Sequence, residues 1–549
     1  MEYLIYRKNI PSQFINLELT LHCKKGETVQ LQLPSWRPGR YEVANYAQKT
    51  RQLKVIEKNR EISAQKITKD LWHFTAGHSG PHVIQYEYHA SQMDAGGSWS
   101  DDEQLYLNFI NFIFEVKGRE EESIKVKLDI PGNYTVATAL PLIGPLVLEA
   151  KGFQHLVDSP LIASSTLQHH HYESGGCLFH LWFQGAIHFE IDQLKEHFKN
   201  FTEKQIEAFD DFPAPAYHFL FQLLPYNHYH GVEHQFSTVI TLGPAKELEN
   251  ETFMDQLIGV SSHELYHFWN VCRIRPKKLL PYDFSKEAYI DTGVVAEGVT
   301  TYMGDLFLLK SGYLSLEAYL KKLEKLINRE TEHFGWQNHS ITESSFDLWL
   351  DGYKPGIPDR KVSIYNRGAL ISFCLDLTLI DHGSSLHEVM KMMWINFGKK
   401  GIGYSLDDYQ TLVGQSLNDR KATEKFFQRY IFGKEDILPL IKTQLASLGI
   451  KLHENNRNEM ESCFGLVIDS INTVRSIHPE SPAYEHLMIG DIISHKDIPE
   501  NQNKYTLNIT VRRNERVLGF VLENQGSIYY KNYTLLQKGS PEKLSQWKA

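Results

Sequence analysis

The sequence predicts a multidomain α+β protein. Three observations lead there: short alternating apolar runs over the first third, helical periodicity across the middle, and a return to short apolar runs near the end. At 549 residues the chain exceeds what one hydrophobic core organises, so several domains are expected. In the first region Ile124, Val126, Leu128 and Ile130 alternate with Lys125, Lys127 and Asp129 ahead of Pro131-Gly132, the pattern of a strand with one buried face. Phe14 to Leu21, Val29 to Leu33 and Val83 to Tyr88 repeat it, which predicts an N-terminal β domain, β-sandwich-like, over residues 1–162. Residues 163–450 form the second expected domain, with long amphipathic stretches at Leu314 to Arg329 and Ala369 to His382. Residues 455–549 form a third, β-rich domain.

Composition narrows the class. A hydrophobic share of 42% supports sizeable cores, and 23% charged residues carry no bias towards disorder. The formal charge of -10 and the absence of Lys/Arg clusters exclude a nucleic-acid surface. Five cysteines, Cys23, Cys177, Cys272, Cys374 and Cys463, are scattered and form no CxxC pair, as expected for reduced thiols in the cytoplasm. The segment Met1 to Lys8 has no apolar core of signal length, and Ala369 to Ile380 contains Asp376 and is too short to span a bilayer. A cytoplasmic protein without membrane association is the expectation.

The chemistry concentrates in His263-Glu264-Leu265-Tyr266-His267. On a helix, residues four apart share a face, so both imidazoles reach one metal ion while Glu264 projects beside them. Catalytic zinc takes three protein ligands and leaves the fourth position for water, so a third donor is required. Glu297 in Ala296-Glu297-Gly298 is the candidate, at the start of a helical stretch from Ala296 to Leu309 that Gly312 ends. Leu265, Phe268 and Trp269 flank the histidines with bulk that suits a buried helix better than a surface one. One zinc per chain is expected, on His263, His267 and Glu297, with Glu264 as general base towards the attacking water. Thr301, a turn after Glu297, is either an orienting hydroxyl or an ordinary helix residue. Cys272 reads as a small buried hydrophobe, not a ligand.

The run Ser262 to Pro276 resembles the signature of the glycyl aminopeptidases, gluzincin metallopeptidases with a thermolysin-like catalytic domain. Leu156 to Pro160, Gly231-Val232-Glu233-His234, Ala296-Glu297-Gly298, Ser344 to Asp347 and Tyr365-Asn366-Arg367-Gly368-Ala369-Leu370 resemble further family segments, as does the aromatic loop Pro34 to Tyr41. The resemblance implies a thermolysin-like peptidase domain with a helical lobe in the middle region. It implies removal of Gly, Ala or other small residues from peptides with a free N-terminus. It implies Tyr365 as donor to the oxyanion, and Glu233, with Gly231 beside it, as the carboxylate for the substrate's α-ammonium group. His230 stands where the family usually has glycine, so the first-residue preference is open. His228 and His234 are expected as hydrogen-bonding residues, and His169-His170-His171 as a solvated connector.

Near the end, Phe464-Gly465-Leu466-Val467-Ile468, Ser481-Pro482-Ala483 and Gly490-Asp491-Ile492-Ile493 are spaced as in a PDZ domain, which implies a groove for a peptide C-terminus. A small β-rich domain without ligand is the plainer alternative. Two rival functions stand beside the aminopeptidase: a zinc endopeptidase, and a PDZ-bearing binding protein whose peptidase domain is inactive. Oligomeric state is open.

Overall fold

The computed structural model describes residues 1–497 and 505–549. The chain divides into two compact units, Met1–Ser315 with His339–Gly433, and Leu316–Asn338 with Lys434–Ala549. Together they make a multidomain α+β protein whose first part is β-rich. Among the described residues no helix is long and apolar enough to cross a membrane.

The first unit begins with one eight-stranded and two four-stranded sheets. The four strands expected from alternation occur at Phe14–Cys23, Thr28–Gln32, Gly80–His89 and Ile124–Asp129. In the last of these Ile124, Val126 and Leu128 are buried and the alternating Lys125, Lys127 and Asp129 exposed, as the period of two requires.

A five-stranded sheet follows: β1 (Gln168–Ser174), β2 (Cys177–Gln184), β3 (Ala216–Leu223), β4 (His228–Glu233) and β5 (Ser237–Gly243), in the order β1-β2-β3-β5-β4. Helix α1 (Ile191–Phe209) covers one face, with Phe198 against Phe219 at 5.1 Å. On the other face Trp182, Leu220, Val232 and Val239 share a core with Tyr106, Ala137 and Ile162 of the β-rich part. The His169-His170-His171 run is not a connector. It lies in β1, because Tyr172 and Ser174 alternate into the interior and the whole segment pairs with β2.

Three helices build the floor beneath β4. Helix α2 (Glu251–Tyr266) starts at Asn250, whose side chain accepts from the Thr252 N–H, and carries His263 and Glu264 in its last turn. A π-helical turn, Val294–Val299, runs into α3 (Thr300–Lys310), and Gly312 closes the helix at φ +78°. Helix α4 (Asn366–Ile380) was expected to be amphipathic but is buried along nearly its whole length, because it is packed on all sides. Asp376 is accommodated by accepting from the Tyr302 hydroxyl and the Leu386 N–H.

The second unit pairs Ile450–Asn456 antiparallel with Lys531–Gln537, and helix Leu316–Glu332 lies against the latter strand. Glu324 and Asn328 on that helix accept from the Leu535 and Tyr533 N–H groups. Phe464, Leu466, Val474, Leu507, Val511 and Leu522 make its core. Buried Asp491 holds Arg513 through two hydrogen bonds of 2.8 and 2.7 Å.

Helix contacts in the first unit are set by glycines. A Cβ on Gly298 would stand 2.5 Å from the Gly368 Cα, and one on Gly304 would stand 3.1 Å from the His263 Cα. Gly298→Ala must therefore push α4 away from the π-helical turn. The expected cost is about 1–3 kcal/mol, read as a lower urea midpoint, together with reduced turnover because Tyr365 at the start of α4 moves with it.

Candidate active site

His263, Glu264 and His267 leave α2 on one face, and His267 still has helical backbone angles as the capping residue. His267 Nε2 lies 3.1 Å from His263 Nε2, and Glu297 Oε2 lies 3.5 Å from His267 Nε2 and 3.9 Å from His263 Nε2. A tetrahedral ion bound at 2.0–2.1 Å separates its donors by about 3.3 Å, so this triangle already has the required size. Glu297 Oε2 and Glu264 Oε2 are buried with no hydrogen-bond partner among the described residues, the condition expected of atoms reserved for a ligand. Glu233, Glu264 and His267 form a second, overlapping donor set with all three atoms within 4.8 Å. The first set is the better zinc site, because two imidazoles and one carboxylate match a catalytic zinc's usual ligands.

The orientation of His267 is fixed from behind. Its Nδ1–H donates to the Asn270 carbonyl at 2.8 Å, which turns Nε2 towards Glu297. Asn270 is fully buried and donates in turn to the Val295 carbonyl and the Thr300 hydroxyl. Val271 follows at φ +91°, a strained position for a β-branched residue that turns the chain under the ligand. The sequence leaves Thr301 as either an orienting hydroxyl or an ordinary helix residue; the hydroxyl that accepts from Asn270 is that of Thr300, one residue earlier. Cys272 is buried and its thiol is pushed well up by burial, as expected of a packing residue.

Glu297 is 2% exposed, His267 2%, Glu264 5% and Glu233 7%, so three carboxyls meet at one point out of water. Burial pushes the Glu264 carboxyl up to about 8, His267 opposing and Glu233 and Glu297 adding to the rise. Burial would lower His267, but Glu297, Glu233 and Glu264 outweigh it and draw the imidazole up to about 10. Burial holds His263 well below its usual value. Such a cluster favours a cation at its centre, and a divalent ion meets that demand with the donors present.

The other expected residues gather here too. Tyr365, at the start of α4, has its hydroxyl close enough to Glu297 to lower that carboxyl's pKa, and burial keeps the phenol protonated as a donor. Gly231 on edge strand β4 lies against Glu264 so closely that a Cβ would collide with its carboxylate. Glu233 is in contact with the aromatic loop of the β-rich part, where a Cβ on Gly39 would stand 2.5 Å from Glu233 Oε2. His230 turns away from Glu264 towards that loop: its Nε2 lies 3.3 Å from Arg37 Nη2 and its Nδ1 4.0 Å from Asp94 Oδ1. His234 is 3.0 Å from Asp158 through Nδ1, a hydrogen-bonding residue as expected. A cavity of about 260 Å³ adjoins Glu233, lined also by Arg37, His155, Asp158, Phe236 and Tyr282. Arg37 and Asn270 were missed as site residues. Arg37 lay within a segment already singled out, whereas Asn270 acts through its backbone.

An edge strand, a metal-sized His/His/Glu triangle and an unpartnered carboxylate are the parts of a metallopeptidase site. The match to known proteins is specific: the Peptidase M61 N-terminal domain over residues 2–165 and the M61 glycyl aminopeptidase domain over residues 256–371. The chain belongs to the M61 glycyl aminopeptidase family. A solved aminopeptidase N family protein from Idiomarina loihiensis is similar over 100% of both chains, with 25% identity and a TM-score of 0.88. An M1 zinc metallopeptidase variant from Deinococcus radiodurans, solved with a Tyr-Ser-Ala substrate, shares the fold over 79% of this chain and 94% of its own, at 14% identity and a TM-score of 0.51. None of the curated proteins compared with the chain matches it.

Proposed function

We propose that this chain is a zinc aminopeptidase that removes single residues from the free amino end of peptides. The observation that carries the reading is the convergence of His263, His267 and Glu297 at donor spacing, with Glu264 and Glu233 beside them. Bound by those three residues, zinc supplies Lewis acidity and brings a water's pKa towards neutrality. Glu264 takes the proton of the attacking water and returns it to the leaving amine. Tyr365 donates a hydrogen bond to the carbonyl oxygen as charge develops there. The extended substrate lies along β4, whose outer edge pairs with no other strand among the described residues. Glu233 receives the α-ammonium group, which sets the register at the first residue.

The cavity beside Glu233 is larger than a glycine needs, and it supports a first-residue preference wider than Gly and Ala. Localisation in the cytoplasm, with reduced cysteines, is part of this reading. So is a PDZ-like role for residues 455–549. Gly465 stands at φ +65° against Ser481, and Leu466–Ile468 pairs on one side with Val474–Ile477, an arrangement able to receive a peptide's C-terminus.

The purified chain is expected to lose hydrolysis on chelation and to regain it with zinc. His263→Ala with His267→Ala should abolish that recovery; recovery in the double variant would remove this site from the reading. Glu264→Gln should keep the metal while turnover falls by orders of magnitude, and Tyr365→Phe should lower kcat about 10²–10³-fold with little change in KM. Near-normal rates in either variant would take that residue out of the mechanism.

Glu233 decides between exopeptidase and endopeptidase. Acetylated peptides should be cleaved poorly, and Glu233→Ala should depress kcat/KM on free-amine peptides about 10²-fold or more while changing little on capped ones. His230→Gly should reshape the first-residue preference, because it also releases Arg37. Efficient cleavage of acetylated peptides by the unmodified chain would replace this reading with the endopeptidase.

A further inference from the structure

The histidines of β1 have no part in that hydrolysis. In the β1-β2 pair His171 stands opposite His180, and His169 opposite Trp182. Side chains alternate along a strand, so His169 and His171 share a face with His180 and Trp182. His170 and Tyr172 take the other face, near Phe183 and Phe198. On the shared face His169 Nε2 and His180 Nδ1 are 2.9 Å apart, and the His169 ring centroid is 5.1 Å from that of His180 and 5.8 Å from that of His171.

We propose that His169, His171 and His180 form a second metal site, which takes Zn2+ or another late first-row divalent ion such as Cu2+ or Ni2+ and ties edge strand β1 to β2. The donor chemistry is all imidazole, the set that such ions prefer. Two histidines at i and i+2 with a third on the neighbouring strand bring three rings together on one pleated face, where opposed Cβ atoms lie about 4.5–5.5 Å apart. The facing His169 and His180 nitrogens need to open by only about 0.4 Å to reach the roughly 3.3 Å separation of donors on a tetrahedral ion. His171 is exposed, so rotation of its side chain supplies the third nitrogen without moving the backbone. The fourth position faces water.

The neighbours prepare these ligands. His218 stacks on His180 at 4.4 Å, and its Nδ1 accepts from Trp182 Nε1–H at 3.2 Å, so that nitrogen is committed and the ring buttresses His180. Trp182 stacks on His169 at 3.8 Å. Burial lowers the pKa of both His169 and His180, which keeps them in the neutral form that binds metal. Strand β1 pairs only with β2 among the described residues, so an ion across the two adds a fixed point at the sheet's free edge.

The test uses the full-length chain, stripped of metal and dialysed against micromolar Zn2+, with metal counted by mass spectrometry. Unmodified protein should hold about two zinc ions, and the pair His169→Ala, His171→Ala about one, with peptide hydrolysis retained. The pair His263→Ala, His267→Ala should also hold one, and with Co2+ it should show the visible bands of a tetrahedral site. His180→Gln in that background should abolish both signals. A single zinc that vanishes with His169 and His171 would support this site and defeat the hydrolytic one. A zinc count untouched by loss of His169 and His171, or no zinc in the chain lacking His263 and His267, would overturn the proposal and leave a packed imidazole stack.

Discussion

Three buried carboxylates, one buried imidazole and one half-buried imidazole meet at one point and set the terms for the rest of the first unit. Glu233 comes from an edge strand, Glu264 from a helix turn and Glu297 from a π-helical turn; burial raises the proton affinity of Glu264, with Glu233 and Glu297 adding, and burial and Glu233 raise that of Glu297. Taking such groups out of water costs several kcal/mol apiece unless opposite charge repays it. The protein's own contribution of positive charge is a histidine drawn up by its neighbours, which is a poor substitute for a divalent ion. A cluster of this composition is stable and useful only around a cation, and the surrounding architecture holds the donors at the distance a small ion requires.

Close approach of backbones does that holding. Gly231 lets β4 come down onto Glu264, Gly304 lets α3 lie on the His263 backbone, and the Gly298–Gly368 contact draws the start of α4, with Tyr365, onto the turn that bears Glu297. The same economy appears at Gly39, which brings the loop of the β-rich part against Glu233. A side chain at any of these positions would force the neighbouring group to give way. Strain is accepted for the same purpose at Val271, where the unusual backbone turns the chain just after Asn270, whose carbonyl receives the His267 N–H.

What the sequence reveals follows from how local each feature is. Strands with one buried face are legible because alternation is a local consequence of burial, and Ile124–Asp129 obeys it residue by residue. The two histidines and Glu264 are legible because a single helix turn sets their spacing. Helix α4 misleads because amphipathic patterning presumes a solvated side, and α4 has almost none. The histidines of β1 mislead for the opposite reason: three polar residues in a row hide an alternation that Tyr172 and Ser174 continue. Arg37 meets His230 across 193 positions of chain, and Asn270 acts through a carbonyl that every residue type possesses, so neither contact leaves a mark in residue identity.

The Arg37 contact changes the meaning of His230, the position where the family usually carries glycine. The His230 ring is drawn towards Arg37. Burial, with Arg37 adding, pushes its pKa down to about 4, so it is neutral and its Nε2 can accept from the Arg37 guanidinium. That bond places the ring proton on Nδ1, facing Asp94 at 4.0 Å, and Asp94 is itself held below the usual carboxylate range: burial works against that, while the hydrogen bonds from Gln92 and the Gly96 N–H and the Arg37 charge outweigh it. The contact thus links the β-rich part to β4 through one guanidinium, one imidazole and one carboxylate. Arg37 also lines the cavity that adjoins Glu233, so His230 holds one residue of that cavity's wall. On the reading proposed above, the first-residue preference is therefore set by the β-rich part and β4 together.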